Sequence, residues 1–244
     1  MDAKTLEFIK LFNQLEEEMG IETHTKYEKD SFNRTTFLKK LEALCDEQPK
    51  YSFFRSELEE LSELRNVIIY EYKQDVELGI PSGWAISKLK EILDKLKNPQ
   101  TAYAIASKPV ETCGLDWLLS DVIQNMGERK FTHVPVVDKE GKLVGVISES
   151  VVVQWTSECL RSKVKEKMAK ETKVQDIMSL IKEPITNYWA FVPMKADGYS
   201  ILKLFQDYID RNQRLGVIFV TRNGKNDEKI MGIITAWDLG RIER

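Results

Sequence analysis

Histidine and cysteine are scarce in this chain of 244 residues, which has two histidines and three cysteines. Cys45, Cys113 and Cys159 are odd in number and far apart, which argues against a disulfide framework and against a zinc site. With only His24 and His133 available, histidine-based metal chemistry is not expected, and we predict no metal. This cysteine usage is typical of the reducing cytoplasm, where we expect the protein to reside.

Long apolar runs are also missing, and none approaches the roughly 20 residues that a membrane-spanning helix needs. The first twenty residues are acidic and amphipathic, unlike a signal or transit peptide. Basic residues are not in excess, because the net charge is −3 and neither the first 98 residues nor the remainder is strongly basic. We therefore predict no membrane partner and no duplex nucleic acid, while single-stranded RNA stays open but is not favoured.

A β-hairpin pattern is present between Phe131 and Ser150. Two apolar, β-branched runs flank the four-residue link Asp138–Gly141, and such runs across a glycine-containing turn predict a hairpin. Near-continuous hydrophobicity predicts that both strands are covered on both faces. A second copy follows about ninety residues later, with strands at Leu215–Val220 and Ile230–Thr235, and its MGIIT aligns with VGVIS of the first. The chain therefore contains an internal repeat.

The two hairpins resemble those of a pair of CBS domains, also called a Bateman module. The resemblance is carried by HVPVVDKEGKLVGVIS in the first copy and by GVIFVTRNGK and KIMGIITAWDL in the second. Each repeat is predicted to run strand, helix, strand, strand, helix, and one such unit exposes too much sheet to be stable alone, so the two should pack sheet to sheet. We place repeat 1 at residues 99–160, a charged linker or helix at 161–173, and repeat 2 at 174–244.

The first 98 residues are predicted to be helical throughout. Apolar residues recur every three or four positions in four stretches, and four helices with short loops favour an antiparallel bundle. Gly20 is predicted to end the first helix and Ser82 to cap the fourth. The predicted fold is therefore multi-domain, with an all-α four-helix bundle followed by an α/β tandem pair of CBS domains.

Thr235 and Asp238 are the leading candidates for ligand binding. A strand is predicted to end at Thr235 and a short helix to begin at once, so that backbone N–H groups and the hydroxyl offer donors to a phosphate. The two acceptor oxygens of Asp238 suit the two hydroxyls of a ribose. In ligand-binding CBS domains, a Thr or Ser followed three residues later by Asp plays this part for adenosine nucleotides. The alternative is an ordinary helix-capping arrangement. Arg241 and Arg244 either reach the phosphate or form a solvated chain end.

The resemblance also implies an apolar wall for the base of the nucleotide. In the family, the extended piece before the helix helps to form this wall, and here that piece contains Phe191, Val192 and Pro193. Trp237, between the two polar residues of the motif, completes the predicted set of ligand-binding residues. The predicted ligand is an adenine nucleotide: AMP, ADP or ATP.

Repeat 1 departs from the binding pattern at one position. Ser148 matches the hydroxyl position of the motif, but Val151 stands where the carboxylate belongs. An apolar side chain cannot accept hydrogen bonds from ribose hydroxyls, so we predict one competent site rather than two. His133 lies just before the first strand of the hairpin, and we assign it no role.

A short motif in the helical region, LRNVIIY at Leu64–Tyr70, resembles the signature of HEPN domains, which are four-helix bundles. Active members are ribonucleases that place an Arg, a polar residue and a His along one helix, and two such motifs face each other in a dimer. Arg65 and Asn66 fit this pattern, but Tyr70 occupies the His position. A tyrosine hydroxyl titrates near 10, far from the optimum for proton transfer at neutral pH. We therefore expect no enzyme activity, and expect Arg65 to pair with Glu63, Glu71 or another carboxylate of the bundle.

Three functions stay open at this point. The leading hypothesis is a regulatory, ligand-sensing protein whose CBS pair binds an adenine nucleotide and signals to the helical domain or to a partner. The second is a HEPN-type ribonuclease gated by the CBS pair. The third is a ligand-free dimerisation scaffold, because CBS pairs and HEPN bundles both tend to dimerise. For the same reason we expect a homodimer.

Overall fold

A change from helices alone to mixed helices and strands divides the chain at its middle. The structure, a computed structural model, describes residues 2–23, 36–74, 80–161, 170–181 and 188–242. It separates into two units, Met1–Pro99 and Gln100–Arg244, a division next to the boundary placed at Asn98-Pro99. None of the described helices is both long and apolar enough to cross a membrane.

The described part of the first unit contains helices and no strands, as predicted. Its helices are α1 (Ala3–Thr23), α2 (Phe37–Glu47), α3 (Pro49–Phe53), α4 (Arg55–Gln74) and α5 (Gly83–Lys97). The core includes fully buried aromatic side chains, among them Phe8, Phe12 and Tyr51. The arrangement of these helices as a HEPN-like four-helix bundle stays a prediction.

Two local predictions for the helical unit can be compared with the structure. The Ser82 hydroxyl accepts a hydrogen bond from the Ala85 N–H at 3.1 Å and caps α5, as predicted. The prediction that Gly20 ends the first helix was wrong, because α1 continues to Thr23. A glycine costs a helix only about 1 kcal/mol, and the fully buried Met19 beside it lies in the core, so packing outweighs that cost.

The second unit contains two repeats of mixed helices and strands. Its elements are α6 (Ala102–Ile105), α7 (Leu119–Arg129), β1 (His133–Val137), β2 (Leu143–Ser148), α8 (Glu149–Arg161), a 3₁₀-helix (Val174–Ile177), α9 (Met178–Ile181), β3 (Tyr188–Pro193), α10 (Gly198–Asp210), β4 (Leu215–Thr221), β5 (Gly232–Ile234) and a second 3₁₀-helix (Ala236–Arg241). Most of the predicted linker at 161–173 lies outside the described residues.

Both predicted hairpins are present, in two separate sheets. In repeat 1, β1 and β2 are antiparallel. In repeat 2, the order is β3-β4-β5, with β3 parallel to β4 and β4 antiparallel to β5. The extended piece that precedes α7 is reduced to a single parallel bridge between Cys113 and Val136.

The two repeats pack against each other through their sheets, as predicted. Val146 of β2 shares a buried apolar cluster with Val217 and Phe219 of β4 and with Ile230. Because one face of each sheet is covered in this way, the opposite faces are left for helices.

Each repeat also packs the segment that leads into the other repeat. The lead-in of repeat 1 (residues 100–107) places Ala102, Ile105 and Ala106 in the core of repeat 2. The lead-in of repeat 2 (residues 174–181) places Val174 and Ile181, among others, in the core of repeat 1. The two repeats are contiguous in sequence, but their folded cores exchange these lead-ins.

A glycine in each second hairpin strand makes this exchange possible. A Cβ built on Gly232 would lie 2.7 Å from the Cβ of Ala106, in the lead-in of repeat 1. A Cβ on Gly145 would lie 2.9 Å from Cγ1 of Ile181, in the lead-in of repeat 2. These two glycines occupy the same place in VGVIS and MGIIT. In both repeats, the absence of a side chain at this place lets the lead-in of the other repeat approach the strand closely.

Candidate functional site

A cavity of about 1100 Å³ is lined by residues from both repeats. Repeat 2 contributes Thr235, Trp237 and Asp238, which were three of the predicted ligand-binding residues, together with Ile233 and Arg241. This volume is slightly larger than the roughly 300–1,000 Å³ of ordinary small-molecule sites. The motif that the sequence singled out therefore borders a cavity that can hold a nucleotide.

Asp238 lies at the wall of this cavity with a side chain that is almost wholly buried; the residue is 5% exposed. Its Oδ2 accepts hydrogen bonds from the Thr235 backbone N–H at 2.8 Å and from the Thr235 hydroxyl at 3.0 Å. Its Oδ1 accepts from the Ser107 hydroxyl at 2.8 Å and lies 3.0 Å from Nη1 of Arg241. Because a carboxylate offers about four acceptor positions, these four donors fill it.

Arg241 points inward, toward Asp238. Besides the carboxylate, its Nη1 donates to the backbone carbonyl of Ile105 at 3.1 Å and to the Ser107 hydroxyl at 3.1 Å. The sequence left open a phosphate contact or a solvated chain end for this residue; the contacts found lie within the fold, and the phosphate contact stays a prediction. Its side chain is nevertheless 57% exposed. Arg244 lies outside the described residues.

Ser107 hydrogen-bonds to Asp238 but was missed by the sequence prediction, because the two residues are 131 positions apart in the chain. It lies in the lead-in of repeat 1, where its N–H donates to the carbonyl of Ile233 at 2.9 Å and its own carbonyl accepts from the Ile233 N–H at 3.2 Å. This backbone pairing places the Ser107 hydroxyl beside the motif of repeat 2. Nothing in the local sequence around Ser107 indicates a partner in the other repeat.

The apolar wall of the cavity comes from repeat 1. Ile123 and Met126 of α7 and the following Phe131 line it, together with Pro109. Glu111 also lines this side and forms an ion pair with Arg129. The extended piece that borders Thr235 and Asp238 is therefore the one before α7, in repeat 1.

The predicted wall from β3 does not line this cavity: Phe191, Val192 and Pro193 are not among its described lining residues. Phe191 faces the cluster between the two sheets, where its ring centroid lies 5.5 Å from that of Phe219. Val192 faces the helices on the other side, with the lead-in of repeat 1, and Pro193 is exposed at the strand end. Successive side chains of a strand alternate between its faces, and both faces of β3 are used for packing.

The equivalent position in repeat 1 is built for packing alone. Ser148 and Val151 are both buried. The Val151 N–H donates to the Ser148 hydroxyl at 3.4 Å, and Val151 itself packs in the apolar core of repeat 1. This hydroxyl therefore caps α8, with no carboxylate three residues on.

His133 lines the cavity from the side of repeat 1. Its Nδ1 lies 2.8 Å from the Thr132 hydroxyl, and its Nε2 is buried and makes no hydrogen bond to any described residue. Burial, and secondarily the positive charge of Arg214, lowers the pKa of His133 to about 4. The imidazole is therefore neutral near pH 7.

Two further expectations concern phosphate and metal. The helix after Thr235 is a six-residue 3₁₀-helix, which is too short to build up the macrodipole expected to bind phosphate there. Among the residues that the structure describes, no group of three or more His, Cys, Asp or Glu side chains is placed to hold a metal ion.

Arg65, the candidate of the helical unit, packs inside that unit. Its Nη2 lies 3.7 Å from Oε2 of Glu16, and its guanidinium lies 5.7 Å from the ring centroid of Phe12. Its Nη1 donates to Oδ1 of Asn66 at 3.4 Å. The expected pairing of Arg65 with a carboxylate is confirmed, and the partner found is Glu16, which was not one of the two carboxylates named. The side chain of Tyr70 lies outside the described residues.

Comparison with known proteins identifies part of the second unit. Residues 102–157 match the sequence pattern of the CBS domain family. This segment is a CBS domain. The second repeat shares its hairpin and its glycine with the first, and its assignment to the same family stays a prediction. No curated protein matches the chain.

Several solved structures resemble the chain. They include the CBS domain of a CBS domain-containing membrane protein from Sphaerobacter thermophilus (20% identity, 66% of this chain and 98% of that chain, TM-score 0.44). CBSX2 in complex with AMP has 21% identity over 58% of this chain and 93% of that chain, with a TM-score of 0.42. The CBS domain pair of protein MJ0100, in complex with 5′-methylthioadenosine and S-adenosyl-L-methionine, has 17% identity over 59% and 94%, with a TM-score of 0.40. At TM-scores below 0.5, these similarities assign neither a fold nor a ligand to this chain.

Proposed function

We propose that this protein is a regulatory ligand sensor whose CBS repeats bind an adenine nucleotide, such as AMP, ADP or ATP, and signal to the helical unit or to a partner. The observation that carries this proposal is the buried carboxylate of Asp238 at the wall of a cavity of about 1100 Å³. The donors that satisfy this carboxylate in the structure include Arg241, whose side chain is 57% exposed, and a ribose offers two hydroxyl donors of the kind that can replace it.

The remaining lining suits the other parts of a nucleotide. Ile123, Met126 and Phe131 offer apolar surface for a base, and the indole of Trp237, which is 84% exposed, stands at the edge of the cavity where it can cover a ring. Such a site, mostly apolar with a few converging polar groups, is typical of small-molecule binding.

Thermal and chemical unfolding of the full chain with AMP, ADP, ATP, NAD and cyclic dinucleotides tests the proposal. A ligand at about a hundred times its dissociation constant should add roughly 2.7 kcal/mol to the free energy of unfolding. The Asp238→Ala variant should lose this gain, while the control Asp227→Ala, at an exposed position in the turn before β5, should keep it. If no adenine compound stabilises the protein, or if Asp238→Ala is stabilised equally, the proposal fails.

We further propose that the helical unit is not a ribonuclease. The ion pair of Arg65 with Glu16 and its contact with the ring of Phe12 support a packing role for the Arg side chain. Incubation of the purified protein with labelled RNA tests this. Cleavage that Arg65→Ala abolishes would favour the nuclease alternative.

We also propose that the protein is a cytoplasmic homodimer, from the tendency of CBS pairs and HEPN bundles to dimerise and from the cysteine usage. Light scattering over a range of protein concentrations tests whether the protein is a dimer. A monomer at every concentration would exclude both the dimer and the scaffold alternative.

A further inference from the structure

A ribose cannot reach Asp238 without displacing a donor that already binds it. The two bonds to Oδ2 come from Thr235 within the same turn and hold that turn together. The two donors at Oδ1, Ser107 and Arg241, come from outside the turn. A ribose must therefore approach at Oδ1 and compete with these two groups.

Arg241 is the donor that can leave most easily. Its side chain is more than half exposed, so that its guanidinium can be solvated as soon as it moves, whereas Ser107 is held by backbone pairing to β5. The contact of Arg241 with the carbonyl of Ile105 does not involve Asp238. This contact can hold the displaced group at the edge of the cavity. Because a guanidinium has five N–H donors in a planar fork, the remaining donors are then available to a ligand.

The displaced guanidinium loses its carboxylate partner and needs another anion. An arginine fork matches the oxygens of a phosphate, which it can contact through two parallel N–H donors. A ligand that carries both a ribose and a phosphate restores both interactions that its entry breaks, because the ribose satisfies Asp238 and the phosphate satisfies Arg241. A nucleoside without phosphate restores only the first.

The charges around the cavity indicate how many phosphates the ligand carries. The cationic side chains among the described lining residues are Lys130 and Arg241, against the carboxylates Glu111, Glu149 and Asp238. Glu111 is neutralised by Arg129, but nothing in the described lining offers a cluster of cations for a triphosphate. This balance favours a single phosphate.

We propose that Arg241 is a specificity-determining residue that competes with the ribose for Asp238 and exchanges onto the phosphate of a nucleoside monophosphate. The inference rests on the proposed adenine-nucleotide function and narrows it to the monophosphate. Its consequence is that the protein rejects the unphosphorylated nucleoside and gains little from further phosphates.

Isothermal titration calorimetry with adenosine, AMP and ATP on the full chain tests this exchange. The wild-type protein should bind AMP at least tenfold more tightly than adenosine, and ATP within a few-fold of AMP. In Arg241→Ala, AMP should bind at least tenfold more weakly, while adenosine should bind as tightly as before or more tightly, because its competitor for Asp238 is gone. The ratio of the two affinities should therefore fall close to one.

A matched control is Arg222→Ala, at an exposed arginine that does not line the cavity, and it should leave all three affinities unchanged. Equal weakening of AMP and adenosine in Arg241→Ala, an unchanged ratio, or ATP binding more than tenfold more tightly than AMP would overturn the exchange. Those results still leave adenine ligands bound at Asp238. A failure of the proposed function would instead appear as no binding of any adenine compound to the wild-type protein, or as equal binding to Asp238→Ala.

Discussion

The two repeats of the second unit share a hairpin, a glycine and a hydroxyl, but they carry different residues three positions after that hydroxyl. Gly145 and Gly232 each admit the lead-in of the other repeat, and Ser148 and Thr235 each end the strand region that precedes a helix. Repeat 1 continues with Val151 and repeat 2 with Asp238. A strand followed at once by a helix therefore supports an apolar contact in one half and a buried carboxylate in the other.

This difference shows that the binding site depends on the residues packed around the motif as well as on the motif itself. Val151 is buried among the apolar side chains of repeat 1. Asp238 is equally buried, but Thr235, Ser107 and Arg241 supply it with donors. Because an unpaired buried charge costs several kcal/mol, the carboxylate is tolerated only where such donors converge.

The largest expected effect separates these two positions. Asp238→Ala should weaken binding of AMP more than a hundredfold, because it removes charge-assisted hydrogen bonds worth about 1.5–3 kcal/mol each. Val151→Ala should leave the affinity within twofold of wild type and lower the free energy of unfolding by about 2 kcal/mol through the cavity it creates. Calorimetric titration and urea unfolding measure the two quantities. Comparable loss of affinity in both variants would mean that the carboxylate contributes no more to binding than the apolar contact at Val151.

A second difference between the repeats is a titratable side chain, since by strand register His133 takes the place that Val217 has in repeat 2. The pKa of His133 is about 4 in the folded protein against 6.5 for an ordinary histidine. The unfolded chain therefore binds the proton first as the pH falls, and stability should be complete above 6.5 and decline toward 4. The decline reaches up to about 3 kcal/mol. Urea unfolding across this pH range should show it in wild type and not in His133→Gln; parallel curves for the two proteins would contradict it.

The two glycines should respond alike in stability and differently in binding. Gly145→Ala and Gly232→Ala each place a Cβ within 3 Å of the opposite lead-in, and overpacking of this kind costs about 2 kcal/mol. Only Gly232→Ala should also weaken the binding of AMP, because the added methyl group displaces Ala106 and with it the neighbouring Ser107. Unfolding and titration of both variants test this, and an equal loss of affinity in both would break the distinction.

The smallest expected effect concerns Trp237. Its removal in Trp237→Ala should lower the affinity for AMP by about 1 kcal/mol, the value of an aromatic stacking contact, and leave stability unchanged because the side chain is exposed. Trp84→Ala, at an exposed tryptophan of the helical unit, is the matched control for titration. Unchanged affinity in Trp237→Ala would remove this residue from the site.

Much of the fold could be predicted because it depends on local patterns. The hairpin of repeat 1, the cap at Ser82 and the helical first unit follow from periodicity and turn residues, which act over a few positions. The end of α1 could not be placed as well: Gly20 was expected to end a helix that continues to Thr23. A glycine marks a weak position in a helix, but the sequence does not show whether packing of its neighbours will carry the helix past it.

The candidate site was predictable in part for a related reason. Thr235, Trp237 and Asp238 lie within one short motif and border one cavity. The apolar wall was predicted at Phe191 and its neighbours because they form the extended piece of the same repeat. In the structure, both faces of β3 pack against other elements and do not line the cavity. Ser107 gave no signal, since its role depends on which repeat its backbone joins.

By itself, the sequence determined that the chain has a helical first unit and a repeated α/β second unit, and that only the second repeat carries a carboxylate after its hydroxyl. Hydrophobic period, turn chemistry and residue type set these features, and all are local. Only the tertiary structure decided that the lead-ins are exchanged, that repeat 1 supplies Ser107 and the apolar wall, and that Arg241 turns back onto Asp238. These contacts join segments more than a hundred residues apart or depend on which face of a strand is free, and packing of the whole unit selects them.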